Sequence, residues 1–137
     1  MFTYRTVIRV RDADPGGVLF FGRYFGLAHD ALEAMMAARG APYAAHFTEK
    51  DYVIPVVHAE SDHRAPLEMG EEASVSLELV ECGTRRFAIS HTIKKADGRV
   101  ACTIKTAHVA VSKQTGRVIK LPEEVVQALN RGRKSVT

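Results

Sequence analysis

From position 3 to position 11 the chain alternates. Tyr4, Thr6, Ile8 and Val10 fall on one side of an extended backbone and Arg5, Val7, Arg9 and Arg11 on the other, which predicts a first strand. Asp12-Ala13-Asp14-Pro15-Gly16-Gly17 interrupts it with turn-forming residues. After Val18-Leu19-Phe20-Phe21 the period changes. Tyr24, Leu27, Ala28, Ala31, Met35 and Ala38 recur at the three-and-four spacing of one helical face, predicting a helix over 22–39. Gly40 stands where a left-handed C-terminal cap is wanted, and Pro42 prevents continuation. Beyond it, positions 53–64, 73–82, 85–95 and 100–112 are rich in β-branched and alternating residues. Cys82-Gly83-Thr84 and Ala96-Asp97-Gly98-Arg99 are short enough to close antiparallel hairpins. Leu121-Pro122-Glu123-Glu124 opens a last short helix, with acidic residues in its first turn as the helix dipole favours.

A strand, one long helix and four antiparallel strands make an α+β domain by the rules of layer packing. One helix covers one face of a sheet, so the other face is expected to meet a second subunit. The length, 137 residues, suits one domain over 1–130, followed by a basic tail at 131–137. A chain of this size buries roughly two-thirds of its unfolded surface, enough for a true core. Hydrophobic residues at 46% and charged residues at 26% place it among ordinary globular proteins.

Charge and cysteine usage narrow the classes. Nineteen Lys and Arg against sixteen Asp and Glu give a net charge of +3, compatible with an anionic ligand. Aromatic residues are not interleaved with the basic ones as stacking on nucleic acid requires, so no nucleic-acid partner is expected. No apolar run reaches the ~20 residues of a membrane span, and the first residues lack a leader's basic-then-apolar layout. Cys82 and Cys102 form neither a C-x-x-C pair nor a disulfide framework, which predicts a cytoplasmic protein.

Several site signatures are missing. No serine lies in G-x-S-x-G, and no two glycines have the G-x-G spacing of a dinucleotide loop. Gly17 and Gly22 have a P-loop's outer spacing, but Arg23-Tyr24 follow where Lys-Ser/Thr is required. His58 and His63 are five apart on a predicted strand and so point to opposite faces, which argues against a metal pair. The segment left is Asp12-x-Asp14-Pro15-Gly16-Gly17-Val18, just ahead of the long helix. Paired glycines and a helix start offer backbone N–H groups to the oxyanion of an attacked acyl carbonyl, and a carboxylate beside them can be nucleophile or base. Asp-Pro-Gly is equally ordinary turn chemistry, with Asp14 capping local N–H groups.

Asp14-Pro15-Gly16-Gly17-Val18-Leu19-Phe20-Phe21, followed by Tyr24 and a helix, resembles the signature of hotdog-fold acyl-CoA thioesterases of the 4-hydroxybenzoyl-CoA thioesterase-like subgroup. The resemblance extends to the element order of most of the chain. Ala28-His29-Asp30-Ala31-Leu32-Glu33-Ala34, and Ile54 to Asp62 with Ala65-Pro66-Leu67 and Gly70, make it similar to the 1,4-dihydroxy-2-naphthoyl-CoA thioesterases of phylloquinone and menaquinone synthesis. The fold so implied is an antiparallel five-stranded sheet wrapped around one long helix.

The resemblance places the catalytic aspartate on Asp14, with Asp12 shaping the turn. It places the amide that polarises the thioester carbonyl on the backbone N–H of Phe21, with Gly17 nearby and Tyr24 on the substrate side. His29 faces the acyl group in this reading and hydrogen-bonds an aromatic hydroxyl, Glu33 one turn on orients it, and His58 lies near the acyl pocket. Phe20, Phe21, Phe25, Tyr24 and the methionines are its expected walls. Arg85 and Arg86 are the candidates for the coenzyme A phosphates, for which arginine forks are suited. No metal or organic cofactor is implied, and the partner expected is a second copy of the chain, as a dimer or a dimer of dimers. Activity on 4-hydroxybenzoyl-CoA or on short and medium aliphatic acyl-CoA is the alternative within the class. Outside it stand a non-catalytic acyl-CoA binding module and, further off, a hotdog dehydratase.

Overall fold

The structure, a computed structural model, describes residues 1–131; the expected tail falls, from position 132 on, outside the described residues. Strand β1 (Phe2–Val7) is followed by a 3-10 turn (Val10–Asp12), helix α1 (Arg23–Ala38) and a short helix α2 (Tyr43–Thr48). Then come β2 (Tyr52–Val53), β3 (Val56–His63), β4 (Glu72–Cys82), β5 (Arg86–Lys94), β6 (Val100–Ser112), β7 (Val118–Ile119) and helix α3 (Glu123–Asn130). All pairing is antiparallel. The five long strands run in the order β1, β4, β5, β6, β3, and the two-residue strands β2 and β7 extend β6.

Helix α1 buries Tyr24, Leu27, Ala28, Ala31, Leu32, Met35 and Met36. The stripe therefore runs through Leu32 and Met36, and Ala38 is exposed. Its end is closed as expected. Gly40 has φ of 89°, its N–H bonds the Ala37 carbonyl, and the Ala41 N–H bonds the Met36 carbonyl at 2.9 Å. Facing α1, Val75 and Leu77 of β4, Phe87, Ile89 and Ile93 of β5, and Cys102 and Ile104 of β6 complete one core. Val125, Ala128 and Leu129 of α3 close it at one end, where the Arg39 guanidinium donates to the Ala128 and Leu129 carbonyls.

Three expectations change. The first strand ends at Val7, not at position 11, because Ile8 is tied to Glu71 and Gly70 by backbone bonds and the chain then turns. The strand over 53–64 is divided at Ile54-Pro55, since proline has no N–H to give the ladder. Helix α2, with Tyr43 and His46 buried, has no counterpart in the periodicity reading. The open face of the sheet also differs in kind. Ser74, Ser76, Ser90, Thr92 and Thr103 on it are polar and partly buried, and Lys105 is exposed. Strand β3 pairs β6 on one side only, and all eight of its residues are exposed.

Candidate functional site

The loop ahead of α1 is tied to itself. The Asp14 N–H donates to the Val18 carbonyl at 2.8 Å and the Gly17 N–H to the Asp14 carbonyl at 3.0 Å. The Asp14 side chain then accepts the Gly16 N–H at 2.8 Å and the Val18 N–H at 3.4 Å, both on Oδ1. Turn chemistry and candidate catalysis thus occupy different oxygens of one carboxylate. Gly17 has φ of 82°, a left-handed value that a side chain disfavours. The loop is also stitched outward, by Leu19 N–H to the Leu67 carbonyl at 2.7 Å and Met69 N–H to the Gly17 carbonyl at 3.0 Å. Asp12 holds the loop to the helix start: its carbonyl accepts the Phe20 N–H, and its carboxylate lies 3.7 Å from Arg23 Nε.

Among the described residues the Phe21 N–H makes no hydrogen bond, and it sits at the start of α1, where the helix dipole adds partial positive charge. The Gly17 N–H, expected nearby, donates to the Asp14 carbonyl, and the residue's positive φ turns the chain. Four residues on from Phe21, Phe25 is the first α1 residue of a cleft of about 360 Å³. That lies at the low end of the ~300–1,000 Å³ usual for small-molecule sites. Gly26 and His29 of α1, Val56 and Ala59 of β3, His91 of β5, and Thr106 and His108 of β6 form the rest of its wall. A Cβ built on Gly26 would meet nothing within 4 Å, so the helix backbone itself borders open space there.

The expected side chains divide. His29 lines the cleft, its Nδ1 is 3.1 Å from Glu33 Oε1 as the helical spacing predicts, and its ring stacks on Tyr43 at 5.5 Å. Tyr24 does not line it. The ring is 4% exposed in the core, its hydroxyl accepts the Leu67 N–H, and it meets His63 edge-on at 4.7 Å. It braces the segment that stitches the Asp14 loop. Met35 and Met36 are core residues as well, while Phe20 and Phe21 are exposed and pack on each other at 4.7 Å. His58 is exposed on β3, 3.5 Å from Glu60, and is not brought to the cleft. Arg85 and Arg86 are exposed at the start of β5; Arg86 alternates with Phe87 and so faces away from α1. No group of three His, Cys, Asp or Glu side chains suited to a metal occurs among the described residues.

Three polar cleft residues, His91, Thr106 and His108, had no assigned role in the sequence. His91 Nε2 lies 3.1 Å from Thr106 Oγ1, which lies 2.8 Å from His108 Nε2. Both rings are 1% exposed, and Phe87 stacks on His108 at 4.6 Å with planes 6° apart. Burial, with His29 nearby, pushes His91 down to about 4, and burial, with His91 and His29 nearby, does the same to His108. Both are therefore neutral at ordinary pH. Each Nδ1 is buried without a hydrogen-bond partner, a cost of about 1–3 kcal/mol apiece. The signal was present: each histidine falls on the apolar side of its strand's alternation, among Phe87, Ile89 and Ile93 or Cys102 and Ile104.

Comparison with known proteins bears on the same elements. A family model described as thioesterase-like superfamily matches residues 8–129. A Nostoc punctiforme protein named 1,4-dihydroxy-2-naphthoyl-CoA hydrolase is 32% identical over 133 residues, covering 97% of this chain and 89% of that protein. The crystal structure of a 1,4-dihydroxy-2-naphthoyl-CoA thioesterase from Synechocystis superposes with a TM-score of 0.91 over 98% of each chain, at 24% identity. A DHNA-CoA thioesterase from Staphylococcus aureus does so at 0.85 over 98% of this chain and 96% of that one, at 22% identity. Identities this low carry the fold, and the fold is the expected one: an antiparallel sheet around one long helix. With the family match running from the first strand's end into α3, the chain belongs to the thioesterase-like superfamily of hotdog-fold proteins.

Proposed function

We propose that this protein is an acyl-CoA thioesterase whose substrate is an aromatic thioester, 1,4-dihydroxy-2-naphthoyl-CoA. The observation that carries the chemistry is the Asp14 carboxylate, with Oδ1 held by two amides and Oδ2 without a partner among the described residues, in the loop that leads to the free Phe21 N–H. In this reading the Phe21 N–H binds the thioester oxygen and stabilises the charge that gathers there on attack. Oδ2 of Asp14 either attacks the carbonyl carbon, expelling the coenzyme A thiolate and leaving an anhydride for water to open, or takes a proton from the water that attacks. Oxygen-18 incorporated into Asp14 during one turnover marks the first route, and its absence marks the second. Neither route calls on a metal or organic cofactor.

The acyl choice is supported by the cleft, a mainly apolar space bordered by Phe25, Gly26, Val56 and Ala59, and by relatives that bear the name of this activity. Arg85 and Arg86 are exposed cations available to the coenzyme A phosphates. The exposed edge of β3 supports a homodimer formed by strand pairing, which would close the Val56 and Ala59 side of the cleft. No helix among the described residues is long and apolar enough to cross a membrane, and a cytoplasmic setting agrees with two unpaired cysteines.

The test is steady-state hydrolysis of a thioester panel, followed by free-thiol release. It holds dihydroxynaphthoyl, 4-hydroxybenzoyl, benzoyl, hexanoyl and palmitoyl thioesters of coenzyme A. A kcat/KM above ~10⁴ M⁻¹s⁻¹ on the dihydroxynaphthoyl thioester, well ahead of the others, is the expected result. Feeble turnover throughout, with the thioesters still bound, assigns the chain as a binding module instead.

A further inference from the structure

Gly26 is the one glycine within a helix among the described residues. Inside a helix glycine is the least favourable residue but proline, so its presence asks for a reason. Two usual reasons are absent. Its φ is not positive, unlike those of Gly17 and Gly40. A Cβ built on it would meet nothing within 4 Å, whereas one on Gly22 would stand 3.1 Å from the Phe20 ring. What lies over Gly26 is the cleft. Phe25 and His29, one helical turn apart, flank the gap it leaves, and Val56 and Ala59 of β3 border the same space. This part of the wall is open to a ligand. Gly26 and Ala59 are exposed, Val56 is 43% exposed and the His29 side chain 42%, while His91 and His108 are buried.

We propose that Gly26 is the position that sets the size of the acyl group, leaving a gap for the second ring of a bicyclic aromatic thioester. Five residues separate it from Phe21, roughly 7–8 Å along the helix at ~1.5 Å per residue. A single ring on a carbonyl held at the Phe21 N–H ends short of that distance, and a second fused ring spans it. Any side chain at position 26 would stand between Phe25 and His29 and take up that room. The inference rests on the thioesterase reading for where the carbonyl lies, and adds which residue decides between one ring and two. Gly26 gives no group to the reaction; the reacting carbon belongs to Asp14 and Phe21.

The experiment compares binding of 2-naphthacyl-CoA and phenacyl-CoA to the full chain by calorimetry, beside turnover of 2-naphthoyl-CoA and benzoyl-CoA. The first two are thioethers whose ketone cannot be hydrolysed, so they report the cleft alone. The two-ring thioether is expected to bind the wild type at least tenfold tighter, as apolar pockets discriminate by added carbons. Gly26→Leu is expected to bring that ratio below one. Its Tm should stand at or above that of the wild type, since leucine is the better helix former, and this separates a filled cleft from a damaged fold. Ala59→Leu fills the same space from β3 and is expected to lower the ratio as well. Equal affinity of the wild type for the two thioethers, or no binding of either, overturns the proposal. So does an equal loss of both in Gly26→Leu, which is what a structural role or a contact with a second copy would give. Inverted preference in binding without turnover of either thioester supports the role of Gly26 and overturns the thioesterase reading. Turnover of both thioesters at equal kcat/KM keeps that reading and overturns the role of Gly26.

Discussion

Oδ1 of Asp14 accepts the Gly16 N–H at 2.8 Å, and this bond fixes which of the carboxylate's two oxygens is left for chemistry. Val18 adds a second, longer bond to the same oxygen, so the turn is held by Oδ1 and Oδ2 keeps its lone pairs. A Cβ on Gly16 would stand 3.2 Å from Oδ1, tighter than ordinary contact, so glycine is what lets the carboxylate lie against its own turn.

Asp14→Asn separates the two roles. An asparagine carbonyl oxygen can still accept the Gly16 and Val18 amides, so the fold is kept and Tm moves by no more than about 2 °C for a loss under ~0.5 kcal/mol. The amide can neither attack a thioester nor take a proton from water, and kcat is expected to fall about 10³-fold or more. Free-thiol release and a thermal melt on the same preparation check both halves; full activity removes Asp14 from the mechanism.

Gly26→Ala adds a methyl group where nothing lies within 4 Å, on the helix face that borders the cleft. The helix gains up to about 1 kcal/mol from the better helix former. The cleft loses room, and kcat/KM for the bicyclic thioester is expected to drop about tenfold. The drop should be smaller for 4-hydroxybenzoyl-CoA. Thermal melts and the two rate constants test the opposing signs.

Acid should weaken the fold before the carboxylates titrate. Burial holds His46, His91 and His108 below their unfolded value near 6.5, with His91 and His108 at about 4. The unfolded chain therefore binds more protons than the folded one between about pH 6.5 and 4, and stability falls as pH drops through that window. Each unit of offset amounts to about 1.4 kcal/mol. Urea unfolding at pH 7.5, 6, 5 and 4.5 is expected to show a steady loss. The double substitution His91→Gln with His108→Gln is expected to flatten it.

Lys95 Nζ lies 2.9 Å from Glu71 Oε1, with the two side chains 8% and 15% exposed. Burial pushes the Glu71 carboxyl up, but Lys95 and the Glu68 and Ala96 N–H groups together hold it below its usual value. Lys95 also donates to the Pro66 carbonyl, so the pair ties the β5–β6 turn to the segment that carries Leu67. Glu71→Ala leaves that ammonium half-satisfied, at a cost of about 2–3 kcal/mol. Denaturant midpoints measure it. The pair's contribution is full above the ordinary Glu value and disappears as pH falls below it, so the gap between wild type and variant should close in acid.

The β3 edge predicts a dimer. Val57, the second residue of β3, is 50% exposed beside the 43% exposed Val56. Light scattering on the wild-type chain is expected to give twice 15.1 kDa or a multiple of that dimer, and Val57→Asp to move the mass toward 15.1 kDa. A wild-type monomer at micromolar concentration would remove the edge pairing.

The sequence by itself determined what depends on neighbours along the chain. Helix α1 is read from its three-and-four spacing and its cap at Gly40, and β3 to β6 from alternation and two short turns, because backbone geometry imposes those periods locally. The Asp14 turn is legible for the same reason, since the bonds among Asp14, Gly16, Gly17 and Val18 span at most four residues. Helix α2 is six residues long, too short for a period to show. Alternation placed His91 and His108 on the inner side of their strands, but it could not say what they meet. Pairing of β5 with β6 sets Phe87 opposite His108 and Ile89 opposite Thr106, and only that register brings one hydroxyl within reach of two imidazoles. Likewise, which amides at the start of α1 stay free was decided by backbone bonds closed in three dimensions, which engage Phe20 and Arg23 and leave Phe21 and Gly22. Register is a property of two strands at once, and a free N–H is a property of everything folded around it; neither is written at a single position of the chain.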